Sequence, residues 1–554
     1  MTGDPMALNP PATRQPVERF GRAAAGARGA VASARPEASL AGIAMLRAGG
    51  NAMDAAIATG FALGVVEPAA SGLGGGGFMT LKLAGMREAV VIDFRETAPA
   101  AARPDMYRHD AQGRVIGDAS AAGALAAGVP GEVAGLLHAL DHYGSGRLTR
   151  AQVLAPAINL AAGGFAVTPF LAALIQDHAD TIRKCPACAG IYLKDGQPRE
   201  LGDTIVNPDL AGVLDQVATQ GADGFYRGAL AQRIADGVQR EGGIITARDL
   251  AGYQVLEHQP AMGTYRGHTI QSVPPASSGG IHLVELLNIL ETFDLQARGW
   301  QSSATVHLWA EALKLVFADR GRYMGDPAFV QVPMAGLSAK SYAREAATRI
   351  ALDRPMPPPA PGVPGKHPSG STTSFSVMDR DGNLVAVTKS LNHFFAGMMV
   401  PGLGFIMNTH MDDFVTIPGS ANSIEPGKRP LSSMCPTLVL DPQGRPFMTI
   451  GSPGATRIFP TVAQVISNVV DFGMPLQAAI DAPRIFQMDT GGLNLEGRVS
   501  LNTCSQLGAL GHSLVIRDDW DFFFGGVHAV LFDYPAMTLM GGADPRRDGQ
   551  AVAF

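Results

Sequence analysis

Thr372 heads a strand-like run, Ser371-Thr-Thr-Ser-Phe-Ser-Val-Met-Asp379, directly after a stretch dense in proline and glycine between Arg354 and Gly370. A turn at Arg380-Asp-Gly-Asn383 and a second strand-like run, Leu384 to Ser390, complete a hairpin pattern for which Asp-Gly is a strong signal. A turn symmetric about Asp381 pairs Met378 with Leu384, Ser376 with Ala386, Ser374 with Thr388 and Thr372 with Ser390. A slip of one residue would turn every side chain to the other face. In this register a hydroxyl at the start of one strand meets a second hydroxyl across the pair. Threonine is a favoured strand residue, so Thr372 alone reads as structure.

Other groups able to do chemistry follow. Phe405-Ile-Met-Asn-Thr-His-Met-Asp-Asp-Phe414 sets two carboxylates after what reads as a buried strand. Lys428-Arg-Pro-Leu-Ser-Ser-Met434 and Ile450-Gly-Ser-Pro-Gly-Ala-Thr-Arg-Ile458 come next. Upstream, the strand pattern Ala89-Val-Val-Ile-Asp-Phe94 leads into Arg95-Glu96. Taken singly, Arg95 reads as a surface ion pair and Ser432-Ser433 as a cap or turn.

The elements that must carry these groups are mixed. Ser39 to Ala48 has an amphipathic pattern stopped by Gly49-Gly50, and Asp54 to Val66 reads as a buried helix of small residues. The run Ser71-Gly-Leu-Gly-Gly-Gly-Gly-Phe78 lacks the Gly-Lys-Ser/Thr of a phosphate loop, so it reads as close backbone packing near a site. Residues 120 to 345 are dominated by helical patterns, among them Val306 to Phe317. There His307 and Glu311 lie one turn apart without a third ligand in sequence, which predicts a core or solvated pair and no metal. Residues 1–28, rich in proline and arginine, read as a loose arm, and the connector 354–370 as an exposed, strained or mobile link.

Composition bounds the class. Of 554 residues 46% are hydrophobic and 17% charged, which describes a packed protein and excludes a disordered one. A net charge of -6 gives no electrostatic case for nucleic acid. Four cysteines are no disulfide framework, and the single C-x-x-C, Cys185 and Cys188, reads as loop thiols. The longest apolar stretch, Ala55 to Val66, is too short to span a bilayer, and the start of the chain has no apolar signal core. The expectation is a soluble cytoplasmic protein, periplasmic or secreted if the chain begins elsewhere.

In family order, Thr372-Thr-Ser-Phe-Ser-Val-Met-Asp379, Met411-Asp-Asp-Phe414, Lys428-Arg-Pro-Leu-Ser-Ser-Met434 and Gly451-Ser-Pro-Gly454 closely resemble the γ-glutamyltransferases (γ-glutamyltranspeptidases), a family of N-terminal-nucleophile hydrolases. Gly49-Gly-Asn-Ala-Met-Asp54, Glu67-Pro68, Asp93-Phe-Arg-Glu96, Val129-Pro-Gly131, Phe317-Ala-Asp-Arg320 and Gly542-Ala-Asp-Pro-Arg-Arg547 agree. The resemblance runs from about residue 28 to the C-terminus. It implies an α+β fold, the four-layer αββα sandwich, cut before Thr372 into a large subunit 29–371 and a small subunit 372–554.

The same resemblance assigns roles. Thr372 would be the nucleophile, its freed α-amine the base, and Ser390 the partner of its hydroxyl, where the family usually has threonine. Backbone N–H groups of Gly454 and Ala455 would form the oxyanion hole; the family prefers a second glycine. Arg95, Ser432 and Ser433 would hold the donor's α-carboxylate, while Asp413 and Asn392 would meet its α-ammonium. Departures are Ser374 in place of a usual histidine, Ala396-Gly-Met-Met399, His410 at an ammonium-pocket position, and a short 414–428 segment without the covering loop of some members. No cofactor or metal is implied. The expected activity is transfer or hydrolysis of γ-glutamyl groups from glutathione-like donors to water, an amino acid or a peptide. The alternatives are an acylase or amidase of the same fold acting on another acid such as a glutaryl side chain, and a non-catalytic amino-acid-binding scaffold.

Overall fold

A computed structural model of the chain describes residues 22–359 and 371–554. Its framework is two seven-stranded sheets. One runs in the order Gln550–Ala553, Gly29–Ser33, Ser371–Asp379, Leu384–Asn392, Gly76–Lys82, Val90–Phe94, Leu256–His258. The other runs Ala24–Gly26, Thr538–Ala543, His528–Asp533, Pro446–Gly451, Thr437–Leu440, His268–Ser272, Ala261–Tyr265. The ladders within both are antiparallel.

Period-two alternation sorts the side chains into layers. Met378, Leu384 and Ala386 turn toward the second sheet and bury against Leu438, Leu440, Val530 and Leu539. The odd residues Phe375, Val377, Val385 and Val387 point outward, under the helix Ala52–Val66. That helix is capped by Asn51, whose side chain accepts from the Asp54 N–H while the Asp54 carboxylate accepts from the Asn51 N–H. All fifteen of its residues are buried, so its small side chains are what let it lie against both sheet and neighbouring helix Pro36–Arg47. On the far side, helices Gly279–Glu291, Ser303–Tyr323 and Ile458–Val470 cover the second sheet. The result is the expected αββα sandwich.

The helix expected over 306–317 extends to Ser303–Tyr323, and no strand forms at 405–408, where Ile406 and Met407 make only isolated bridges. The proposed loose arm divides: residues 1–21 lie outside the described residues, but Ala24–Gly26 is an edge strand paired with Thr538–Ala543. Of the connector, 360–370 lies outside the described residues, and 354–359 has no regular structure. Among the described residues no helix is long and apolar enough to cross a membrane.

Candidate active site

The hairpin pairs Met378 with Leu384, Ser376 with Ala386, Ser374 with Thr388 and Thr372 with Ser390, as the symmetric turn requires. One irregularity interrupts it. Ser371 stands opposite Asn392 while Thr372 stands opposite Ser390, so Leu391 is the extra, bulged residue and the register shifts across the facing Ser371–Thr372 peptide. A bulge leaves its extra residue out of the ladder and re-aims the side chains beside it. Asn392 absorbs the return with φ of 75°. Thr372, on the inter-sheet face, is buried, and its Oγ lies 3.4 Å from Ser390 Oγ.

Neighbouring segments fix this end of the hairpin. The Thr372 carbonyl accepts from Arg547, which also pairs with Glu67 at 3.3 Å. Lys389 points to the helical side, where it bonds the Gly60 carbonyl and Glu132. The glycine run serves close approach: a Cβ on Gly75 would come within 2.3 Å of the Ser390 carbonyl oxygen. Ser374, standing where the family has histidine, reaches His528 Nδ1 at 3.0 Å. An imidazole therefore still borders that position, supplied by the other sheet, and burial pushes its pKa down to about 3.

Gly454 (φ 131°) and Ala455 (φ 51°) begin a short helical turn that runs into Ile458–Val470. Amides at such a start have no intrahelical acceptor and are available to an oxyanion. Ala455 adopts the left-handed region at a cost of roughly 1 kcal/mol that glycine would avoid.

Thr372, Ser390, Asn392, His410, Asp413, Ser432, Ser433 and Ala455 line one pocket. Arg95 is not among its lining residues. Its side chain is fully buried, ion-paired with Asp413 and Glu96, and donates to the Pro430 carbonyl. The two groups assigned to opposite ends of a zwitterion thus neutralise each other here. Asn392 likewise turns its amide to the Thr409 carbonyl, 3.0 Å away.

The cation facing the pocket is Arg320, from the last turn of Ser303–Tyr323. It donates to Ser278 Oγ at 3.0 Å and to Ser433 Oγ at 2.9 Å. Burial pushes its pKa down to about 10, against the pull of Asp413 and Asp489. The sequence reading gave it no role, although it closes the Phe317-Ala-Asp-Arg320 motif. A guanidinium held by hydroxyls beside Ser432 and Ser433 is well suited to a planar carboxylate.

Glu96 and His410 complete the electrostatics. Burial raises the Glu96 pKa to about 7, opposed chiefly by Arg95. Burial, with Arg95, holds His410 well below the usual histidine range, so it is neutral. His410 Nδ1 lies 2.8 Å from Glu96 Oε1, a close approach but not an aligned hydrogen bond.

Elsewhere, His512 joins His307 and Glu311, supplying the third group that their spacing lacked. The trio is bonded internally: His307 contacts His512 and the Ala351 carbonyl, while Glu311 accepts from Lys314 and the Met356 N–H. A cation there would have to displace the Lys314 ammonium. Cys185 and Cys188 lie not in a loop but at the start of helix Pro186–Tyr192.

The gamma-glutamyltranspeptidase family profile matches residues 38–554. The chain is 40% identical over 534 residues to the glutathione hydrolase proenzyme of Escherichia coli (strain K12), covering 94% of this chain and 90% of that protein. It is 41% identical over 541 residues to the acylase ACY 1 proenzyme of Pseudomonas sp. (strain V22), covering 96% and 94%. The crystal structure of cephalosporin acylase from Bacillus halodurans superposes with a TM-score of 0.86 at 28% identity, over 100% of this chain and 99% of that one.

Proposed function

This chain belongs to the gamma-glutamyltranspeptidase family, and we propose that it is a proenzyme whose cut before Thr372 yields a γ-glutamyltransferase and glutathione hydrolase. Until the cut, the Thr372 nitrogen is an amide and cannot take a proton. Afterwards it is an α-amine of unperturbed pKa roughly 7.7–8, suited to general-base work near neutrality. It withdraws the proton from Thr372 Oγ, directly or through water, while Ser390 orients that oxygen. Oγ attacks the γ-carbonyl of the donor, the Gly454 and Ala455 amides stabilise the oxyanion, and the amine leaves with the proton. The γ-glutamyl-threonyl ester then passes its acyl group to water or to the amine of an amino acid or peptide.

The donor's α-carboxylate docks against Ser432, Ser433 and Arg320, and Arg95 reaches it once the incoming ammonium competes for Asp413. Asn392, its amide N–H held by the Thr409 carbonyl, offers its side-chain oxygen to the donor's α-ammonium beside Asp413. The observation that carries this reading is that Asp413 lines the same pocket as Thr372 and Ser433. A glutaryl donor shares chain length, scissile amide and terminal carboxylate but lacks the ammonium, which would leave Asp413 without its partner. An acylase reading is favoured by the 41% identity to the acylase ACY 1 proenzyme. Parallel assays with γ-glutamyl and glutaryl anilides separate the two. A glutamyl preference of at least roughly a hundredfold in kcat/KM, about 2.7 kcal/mol, is expected, measured above about pH 7.5. Equal rates would transfer the assignment to the acylase.

A further inference from the structure

Outside the active site, the groups poised for reaction are Cys185 and Cys188. The sequence Lys184-Cys-Pro-Ala-Cys188 starts the helix Pro186–Tyr192, with Cys185 as its N-cap and Pro186 in the first turn. The two thiols differ in access. Cys185 is partly exposed, whereas Cys188 is 0% exposed within the large core under the first sheet. They are in contact: the Cys188 backbone N–H donates to Cys185 Sγ at 3.4 Å.

We propose that Cys185 and Cys188 form a redox-active pair that closes to an intramolecular disulfide by exchange with a low-molecular-weight disulfide, Cys185 attacking and Cys188 resolving. The Cys185 thiolate attacks one sulfur of R–S–S–R, forming a mixed disulfide and releasing RS⁻. Cys188 then gives up its proton and attacks Cys185 Sγ, expelling the second RS⁻. The pair loses two electrons, the small disulfide gains them, and the two thiol protons leave on two RSH molecules.

The asymmetry needed for this order is built in. Hydrogen bonds from the Cys188 side chain and from the amides of Cys188, Met399 and Ala187 bring the Cys185 pKa down to about 6, against burial. Near pH 7 it is largely thiolate, the attacking form. Cys188, as donor to that sulfur and sealed from water, is held protonated well above the usual thiol range. It becomes a nucleophile only after Cys185 has been capped and no longer accepts its hydrogen bond. The remaining cysteines lack this arrangement: Cys435 is buried and pushed up to about 11, and burial also raises half-buried Cys504.

The probe is bis(2-hydroxyethyl) disulfide, which carries no γ-glutamyl group and is invisible to the active site. Processed wild-type protein is equilibrated at graded ratios of this disulfide to 2-mercaptoethanol, alkylated, and mapped by peptide mass. Cys185 and Cys188 should lose alkylation together while Cys504 keeps it. Cys188→Ser, or Cys188→Ala should serine misfold, should retain one hydroxyethylthio group on Cys185. Cys185→Ser should leave Cys188 unmodified. Wild-type Cys185 should also alkylate at pH 7 roughly ten times faster than Cys504, a measurement that needs no variant. A pair that stays fully alkylatable at every ratio, or an adduct appearing on Cys504 before Cys185, overturns the proposal.

Discussion

The end of the hairpin that carries Thr372 and the pocket of charged and hydroxyl groups beside it are built on opposite plans. Thr372 and Ser390 come from two adjacent strands joined by one turn, so a single register decides whether they meet. The pocket draws Arg320, Asp413 and Ser433 from three separated segments, and Arg95, from a fourth, pairs with Asp413. Local pairing lets one register fix the first region. The second depends on how charges from distant segments share one another, so single substitutions there should redistribute charge as well as remove a contact.

The largest expected effect lies in the first region. Thr372→Ala should remain one chain on a denaturing gel and be inactive, whereas the wild type resolves into two chains with the smaller beginning at Thr372. A wild type that stays whole and active would end the nucleophile assignment. In the second region, Arg320→Ala and Arg95→Ala should both cut normally. Each should weaken donor use by roughly 2–5 kcal/mol, seen mainly in KM. Unchanged KM in Arg95→Ala would restrict that residue to neutralising Asp413 and give the carboxylate to Arg320 alone. Asp413→Asn should shrink the glutamyl-over-glutaryl preference by roughly tenfold, through loss on the glutamyl donor, because an amide still hydrogen-bonds but carries no charge.

The smallest effect is a pH dependence. The Glu96 pKa is raised in the folded state to about 7 from a reference of 4.5, so the folded protein binds the extra proton. Its contribution to stability is full below about pH 4.5 and is lost as pH rises through about 7. Glu96→Gln should remove that component, flattening Tm by roughly 1–2 °C across the window. An unaltered slope would show that Arg95 keeps Glu96 ionised.

These two plans also explain what could be read from the chain. The Asp-Gly turn and alternating strands specify the hairpin within twenty-odd residues, so symmetry about Asp381 was enough to pair Thr372 with Ser390. The bulge at Leu391, facing Ser371–Thr372, was not legible, because it depends on Asn392 taking positive φ. Arg320 sits at the end of a helix whose pattern ends earlier, and its neighbours Ser278 and Ser433 are set by tertiary packing. The resemblance supplied Arg95 and Asp413 but not their mutual pairing. His528 opposite Ser374 and His512 beside His307 illustrate the same limit: each partner arrives from more than 150 residues away. Two segments were misread for a related reason. Residues 24–26 carry no apolar pattern, yet they find a sheet edge to pair with, and the 405–408 segment is buried without becoming a strand.

The strand Ser371–Asp379 lies between Gly29–Ser33 on one side and Leu384–Asn392 on the other, and both sheets interleave strands from before and after the cut proposed at Thr372. While the chain is whole, unfolding is a one-molecule event that the same molecule can reverse. Once severed, the pieces cannot drift apart on dilution, since separation requires dismantling both sheets, but if they are forced apart their reunion becomes a second-order encounter between two incomplete sheets. A cut at that position would make folding a one-way history: the two-chain protein would persist through slow unfolding, and not by finding its structure again.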